Sequence, residues 1–155
     1  MKFALFLALA WLEFSHLAIG AATNPFDYRK TIPEKVLRVP GASEGDVRKS
    51  WGEPQHAEDN KFFYEEAGYR YRLIVSFRQK KCRELEYALL DSKFTLGDFI
   101  AGGFAKSEIR EFPKEGHDRG RFLTLTKKNG QGKWTFYFNT DSEKHLHHIF
   151  WEQVP

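Results

Sequence analysis

Ser43-Glu44-Gly45-Asp46-Val47-Arg48-Lys49-Ser50-Trp51-Gly52-Glu53-Pro54 is the stretch on which the fold turns. A serine hydroxyl at a helix N-cap accepts a bond from the N–H three residues on. Asp46 stands at that third position, where it can return the bond and face the positive end of the helix dipole. Val47 and Trp51 are four apart and share one helical face. Gly52 suits the helix stop, and Pro54 blocks continuation. The spacing predicts a short helix over 44–51. The same punctuation returns as Thr95-Leu96-Gly97-Asp98, followed by apolar Phe99, Ile100 and Phe104, with Gly102-Gly103 as the stop.

Aromatic strands follow each of these starts. Lys61-Phe62-Phe63-Tyr64-Glu65 reads as a strand, and Gly68 marks a turn. From Tyr69 to Arg78 the alternation is clearest: Tyr69, Tyr71, Leu73, Val75 and Phe77 interleave with Arg70, Arg72, Ile74, Ser76 and Arg78. That is period two, with one apolar and one mostly polar face. A return strand carries Leu85, Tyr87 and Leu89. A three-residue loop, Gln79-Lys80-Lys81, sets Val75 opposite Leu85, Leu73 opposite Tyr87, Ser76 opposite Glu84 and Ile74 opposite Glu86. A two-residue loop slips the register and mixes the faces.

In the second half, 122–126 and 134–138 read as strands around Asn129-Gly130-Gln131-Gly132, and a last hairpin passes Asp141-Ser142-Glu143 into 144–153. Ala105 to Gly120 is less legible, with Pro113 and a loop over 116–120. Pairing Phe138 with Leu146 places Trp134, Phe136, Phe138, Leu146, His148 and Phe150 on the covered face. Thr135, Tyr137, Asn139, His145, His147, Ile149 and Trp151 then lie on the other. The expected fold class is α+β: short helices packed on one face of an antiparallel sheet, in two tandem helix-plus-meander units over 41–91 and 92–155. Residues 23–40 form a lead-in punctuated by Pro25, Pro33 and Pro40, with a strand or a single helical turn near Glu34–Leu37.

The N-terminus reads as a secretory signal over residues 1–22. Lys2 precedes an apolar run from Phe3 to Leu12, and small residues at Ala18-Ile19-Gly20-Ala21-Ala22 suit cleavage near Gly20 or Ala22. The run is too short for a membrane span, which needs about 20 apolar residues. No Cys stands at the cleavage point, so no lipid anchor is expected and the product is read as periplasmic or secreted. Twenty-four Lys and Arg against 21 Asp and Glu give a net charge of +3, dispersed along the chain. That balance argues against nucleic acid as a partner, which calls for a concentrated basic stripe.

Residues Val39-Pro40-Gly41-Ala42-Ser43 through Asp46-Val47 to Trp51-Gly52-Glu53-Pro54, with Leu73, Val75 and Phe77 in 71–86, carry a family likeness. They resemble the SmpA/OmlA lipoproteins of the outer-membrane β-barrel assembly machinery. In that family a Gly-x-Ser/Thr cap, a helix with an internal Val and a Leu-Gly-x-Pro stop precede a Tyr-rich strand and a hairpin. Trp51 stands where the family has Leu. The implied fold is similar to the β-lactamase inhibitory protein, a tandem of two such units. The likeness covers 39–90 well and 94–153 in outline. The chain departs from the lipoproteins in lacking their acylated N-terminal Cys and in having two units. Both departures favour a secreted or periplasmic inhibitor-like protein, and the likeness speaks for fold more than for function.

Reaction chemistry is thin in the sequence. No nucleophile elbow, phosphate loop, His-Glu-x-x-His or dinucleotide fingerprint occurs, so no catalytic residue and no cofactor are assigned. His145 and His147 are the metal-ligand candidates, pointing to one side of a strand, without the paired spacing of strong zinc sites. Cys82, the one cysteine, falls among Lys80, Lys81 and Arg83 on the expected polar face and reads as a surface thiol or a pairing site with another protein. The exposed sheet face is the better candidate: Arg70, Arg72, Glu84 and Glu86 from the first unit with Tyr137, His147 and Trp151 from the second. Tyr, Trp and Arg are the side chains that anchor protein interfaces. The expected function is a non-enzymatic, exported protein-binding module, an inhibitor of or accessory to another envelope or secreted protein. A periplasmic metal- or small-ligand-binding protein using His145/His147, and an outer-membrane assembly factor, are the alternatives.

Overall fold

Eight strands carry most of the regular structure: β1 (His56–Glu58), β2 (Lys61–Glu66), β3 (Tyr69–Arg78), β4 (Lys81–Ala88), β5 (Arg110–Pro113), β6 (Arg121–Asn129), β7 (Gly132–Phe138) and β8 (Leu146–Gln153). The computed structural model describes residues 26–66, 69–113, 121–130, 132–140 and 142–155. The signal-like segment 1–22, the start of the lead-in, the Gly68 turn, the 116–120 loop and Asp141 lie outside the described residues. All eight strands join one antiparallel sheet in the order β1-β2-β3-β4-β8-β7-β6-β5.

The expected α+β class is thereby corrected to a mainly-β fold. Among the described residues the α-helices are α1 (Glu34–Leu37), α2 (Glu44–Trp51) and α3 (Leu96–Ala101), and the longest of them has eight residues. Their stops follow close on their caps. Gly52 has φ +83°, a left-handed value that a side chain disfavours, and Gly102-Gly103 ends α3 after six residues. The aromatic period-two stretches meet no such early stop, so strands dominate. What reads in sequence as two successive helix-plus-meander units is one continuous sheet closed at its centre by the β4–β8 pair.

The helix starts form as their sequence dictates. Ser43 Oγ accepts from the Asp46 N–H (3.2 Å), and the Asp46 carboxylate accepts from the Ser43 N–H (3.2 Å); Thr95 and Asp98 make the same reciprocal pair. Each cap is also stitched to the sheet: the Cys82 N–H donates to the Ala42 carbonyl and the Leu146 N–H to the Phe94 carbonyl, both at 2.8 Å.

The core lies between the sheet and a layer made of α2, α3 and the lead-in. Phe99 of α3 meets Phe136 (4.9 Å between ring centres) and Phe138 (5.0 Å), while Trp51 of α2 meets Tyr64 and Tyr87. The lead-in is part of this layer. Ile32, Val36 and Val39 are buried, and Tyr28 packs its edge on Phe136 at 5.6 Å. Of the alternatives open for Glu34–Leu37, the helical turn is the one formed.

Candidate functional site

Sheet register decides which residues face away from the helices. Val75, Leu85, Trp151 and Trp134 stand opposite one another across β3, β4, β8 and β7 and point into the core, as do Leu73, Tyr87, Ile149 and Phe136. The residues between them line the other face. One row there runs Ile74, Glu86, Phe150, Thr135, Thr126; the next runs Ser76, Glu84, Glu152, Lys133, Lys128. A third carries Ala88, His148, Tyr137 and Thr124.

Two bulges separate this arrangement from the sequence expectation. Between β7 and β8 the register shifts at Tyr137/Phe138, where Phe138 opposes Leu146 but Tyr137 opposes His148, leaving His147 as the extra residue. One inserted residue reverses every side chain beyond it. Trp151, expected on the open face, is therefore in the core at 6% exposure, with Ile149 beside it. His148 and Phe150, expected inside, stand outside. The consecutive apolar residues Ile149-Phe150-Trp151 give no alternation by which sequence alone could fix the face.

The second bulge is in the β3/β4 hairpin. Its turn is the two-residue one, with Gln79 and Lys80 both at positive φ and Arg78 opposite Lys81. The slip expected of such a turn is absorbed at Ser76/Phe77, so that Ser76 still faces Glu84, Val75 faces Leu85, and Leu73 faces Tyr87. The cost of that repair falls on Cys82. It opposes Phe77 and is fully buried, not a surface thiol, and its Sγ donates to the Glu84 carbonyl at 3.4 Å. Burial pushes its pKa up to about 12, away from nucleophilic or ligating use.

Of the proposed site residues, Glu84, Glu86, Tyr137 and His147 share the open side of the sheet. Arg72 is half-buried: its Nε donates to the Tyr87 hydroxyl at 2.8 Å and its guanidinium lies 5.4 Å from that ring centre. Arg70 falls on β3, and its side chain lies outside the described residues. Glu86 is half-exposed, yet partial desolvation holds its pKa above the usual carboxylate value. His148 Nε2 stands 3.8 Å from Glu86 Oε1. Tyr137 also titrates above its ordinary value, first because it is partly buried and then because Glu86 and Glu152 oppose its charging. Glu152 pairs with Lys133.

Phe122 adds an aromatic surface that the sequence reading left out, with ring centres 5.7 Å from His147, 6.0 Å from His148 and 6.0 Å from Tyr137. Phe150, Ile74 and Glu152 share that face. Among the described residues His145 and His147 have different polar neighbours. His145 Nε2 meets Glu143 Oε2 at 3.0 Å, His147 Nδ1 meets His148 Nδ1, and among the described residues no three His, Cys, Asp or Glu side chains gather as a metal site requires. What the face presents is aromatic and aliphatic area interleaved with carboxylates and amines.

No family model matches the sequence, and no curated protein matches it. Among solved structures the chain is similar to a crystal structure of a DUF4309 family protein, YjgB, from Bacillus subtilis subsp. subtilis str. 168. The two share 15% sequence identity and a TM-score of 0.56, over 81% of this chain and 89% of that one. At that identity the likeness speaks for the fold alone.

Proposed function

We propose that this chain is an exported, non-enzymatic protein-binding module that docks a partner through the sheet face opposite its helices. The observation that carries the reading is that α2, α3 and the lead-in all pack on one side of the sheet. The other side keeps Ile74, Phe150, Tyr137 and Phe122 only partly buried beside Glu84, Glu86 and Glu152. Aromatic anchors ringed by polar groups are the composition of interface centres. Export is supported by the apolar segment Phe3–Leu12 with its small-residue end, and an inhibitor-like role by the sequence resemblance over 39–90.

A photo-cross-linking residue placed at Phe150, and another at Lys49 on the exposed side of α2, tests the face in cells that export the protein. The reading expects a discrete cross-linked partner from position 150, none from position 49, and loss of that partner in Tyr137→Ala. Cross-links from position 49 alone, or from neither position, overturn it. Mass spectrometry of the exported protein's N-terminus tests export separately: a mature end near Ala21 or Thr23 is expected, and an intact Met1 contradicts it.

A further inference from the structure

A cleft of about 470 Å³ opens at the end of the sheet where β6 turns into β7, on the helix side and away from the proposed docking face. Trp134 and Trp151 form its floor, with ring centres 6.4 Å apart, and Leu37 adds an apolar wall. Its polar lining is one-sided. Among the described residues Arg29 is the one charged residue lining it, and no Asp or Glu does. Among the described residues Arg29 makes no ion pair, and its side chain stands exposed at the rim.

The other polar groups add donors. The Gln153 carbonyl oxygen accepts from Arg83 Nη1, and the amide N–H₂ of this lining residue is a further donor. The indole Nε1 of Trp151 lies over Gly132, which lines the same cleft without a side chain to cover it. Asn129 completes the rim.

A guanidinium with no counter-ion among the described residues, an amide N–H₂ and an indole edge beside aromatic side chains favour an acceptor that carries one negative charge on a flat apolar body. From this geometry we infer that the cleft is a binding site for a small organic carboxylate bearing a ring or similar apolar group. A single cation matches a monoanion better than a phosphate dianion, and the edges of Trp134 and Trp151 that reach the cleft give the apolar body an aromatic contact. The volume falls within the range of small-ligand sites.

Benzoate is the probe, titrated into the ¹⁵N-labelled protein while the indole N–H signals are followed. Benzamide serves as the uncharged isostere and acetate as the anion without a ring. Benzoate is expected to shift the Trp134 and Trp151 signals and leave Trp51 unmoved. Benzamide and acetate should each bind about tenfold more weakly or worse, since each lacks one of the two contacts. Arg29→Gln should weaken benzoate about tenfold, and Arg29→Lys should restore part of the loss. Arg29 is exposed, so both variants should keep the parent's unfolding midpoint, which separates lost binding from lost fold. Absence of benzoate binding, equal binding of benzamide, or undiminished binding by Arg29→Gln overturns the assignment.

Discussion

Gly132 lies beneath the indole of Trp151, so closely that a Cβ at position 132 would overlap the indole nitrogen and its fused-ring carbons. Trp151 is 6% exposed and lies 6.4 Å from Trp134, so it cannot swing away without opening the core. Gly132→Ala is therefore expected to cost about 1–3 kcal/mol, the range of overpacking strain. Urea unfolding followed by tryptophan fluorescence measures it. An unchanged midpoint would mean that the indole does not rest on this backbone.

The two helix caps predict a matched pair of losses. Ser43→Ala and Thr95→Ala each remove the acceptor for an N3 backbone N–H, and each is expected to cost about 1 kcal/mol. The caps belong to separate helices, so the double variant should show nearly the sum. The Asp46 carboxyl is held below its ordinary pKa, first by the Ser43 side chain and then by its backbone N–H. Its contribution is present above the unfolded value of 3.8 and is lost as pH falls through the lowered folded value. The gap between Ser43→Ala and the parent should narrow in that acid range in chemical denaturation.

How far the sequence could be read follows from the same residues. Ser43/Asp46, Gly52 and Pro54 delimit α2 because caps and stops act locally, and the alternation from Tyr69 to Arg78 fixes β3 and four of its β4 partners. Bulges are not local. The extra residue at His147 is set by how Phe138, Leu146 and the Phe94 carbonyl meet, which no period in 144–153 encodes. Trp151, Phe150 and His148 lie on the side of the sheet opposite to the one the alternation predicts, each of them beyond the bulge. The weight given to helices failed for another reason: two well-formed caps say where helices begin, and say nothing of how little of the chain they hold.

Cys82 offers a test of the β3/β4 bulge. A fully buried thiol should react with an aromatic disulfide reagent only as the protein opens, orders of magnitude more slowly than in the denatured chain. Cys82→Ser should cost about 1–3 kcal/mol, because it buries a hydroxyl in an apolar setting. The folded pKa of about 12 lies above the unfolded 9.0, so the neutral thiol's stabilisation is whole below pH 9 and fades as pH rises from there toward 12. Cys82→Ala should lack that alkaline component in pH-resolved denaturation. Rapid labelling of the native protein would place the thiol outside the core.

Glu86 joins the electrostatics of the open face to its proposed use. It stands between Ile74 and Phe150, with His148 Nε2 3.8 Å away, and its charge raises the pKa of Tyr137. Because desolvation raises its own folded pKa above 4.5, the protonated form is the one the fold favours. That stabilisation is present below pH 4.5 and is lost as pH rises through the folded value. Glu86→Gln, which stays neutral, should therefore be more stable than the parent at pH 7 and equal to it well below pH 4.5. The same substitution should lower the pKa of Tyr137, read from its ring-carbon signal, since one of the charges opposing the phenolate is gone. A half-desolvated carboxylate at the centre of a bare face costs stability in the isolated protein, a cost that a docked partner bearing a cation or hydrogen-bond donor would offset. If Glu86→Gln proves no more stable than the parent at pH 7, the carboxylate is well solvated and that reason for its position falls.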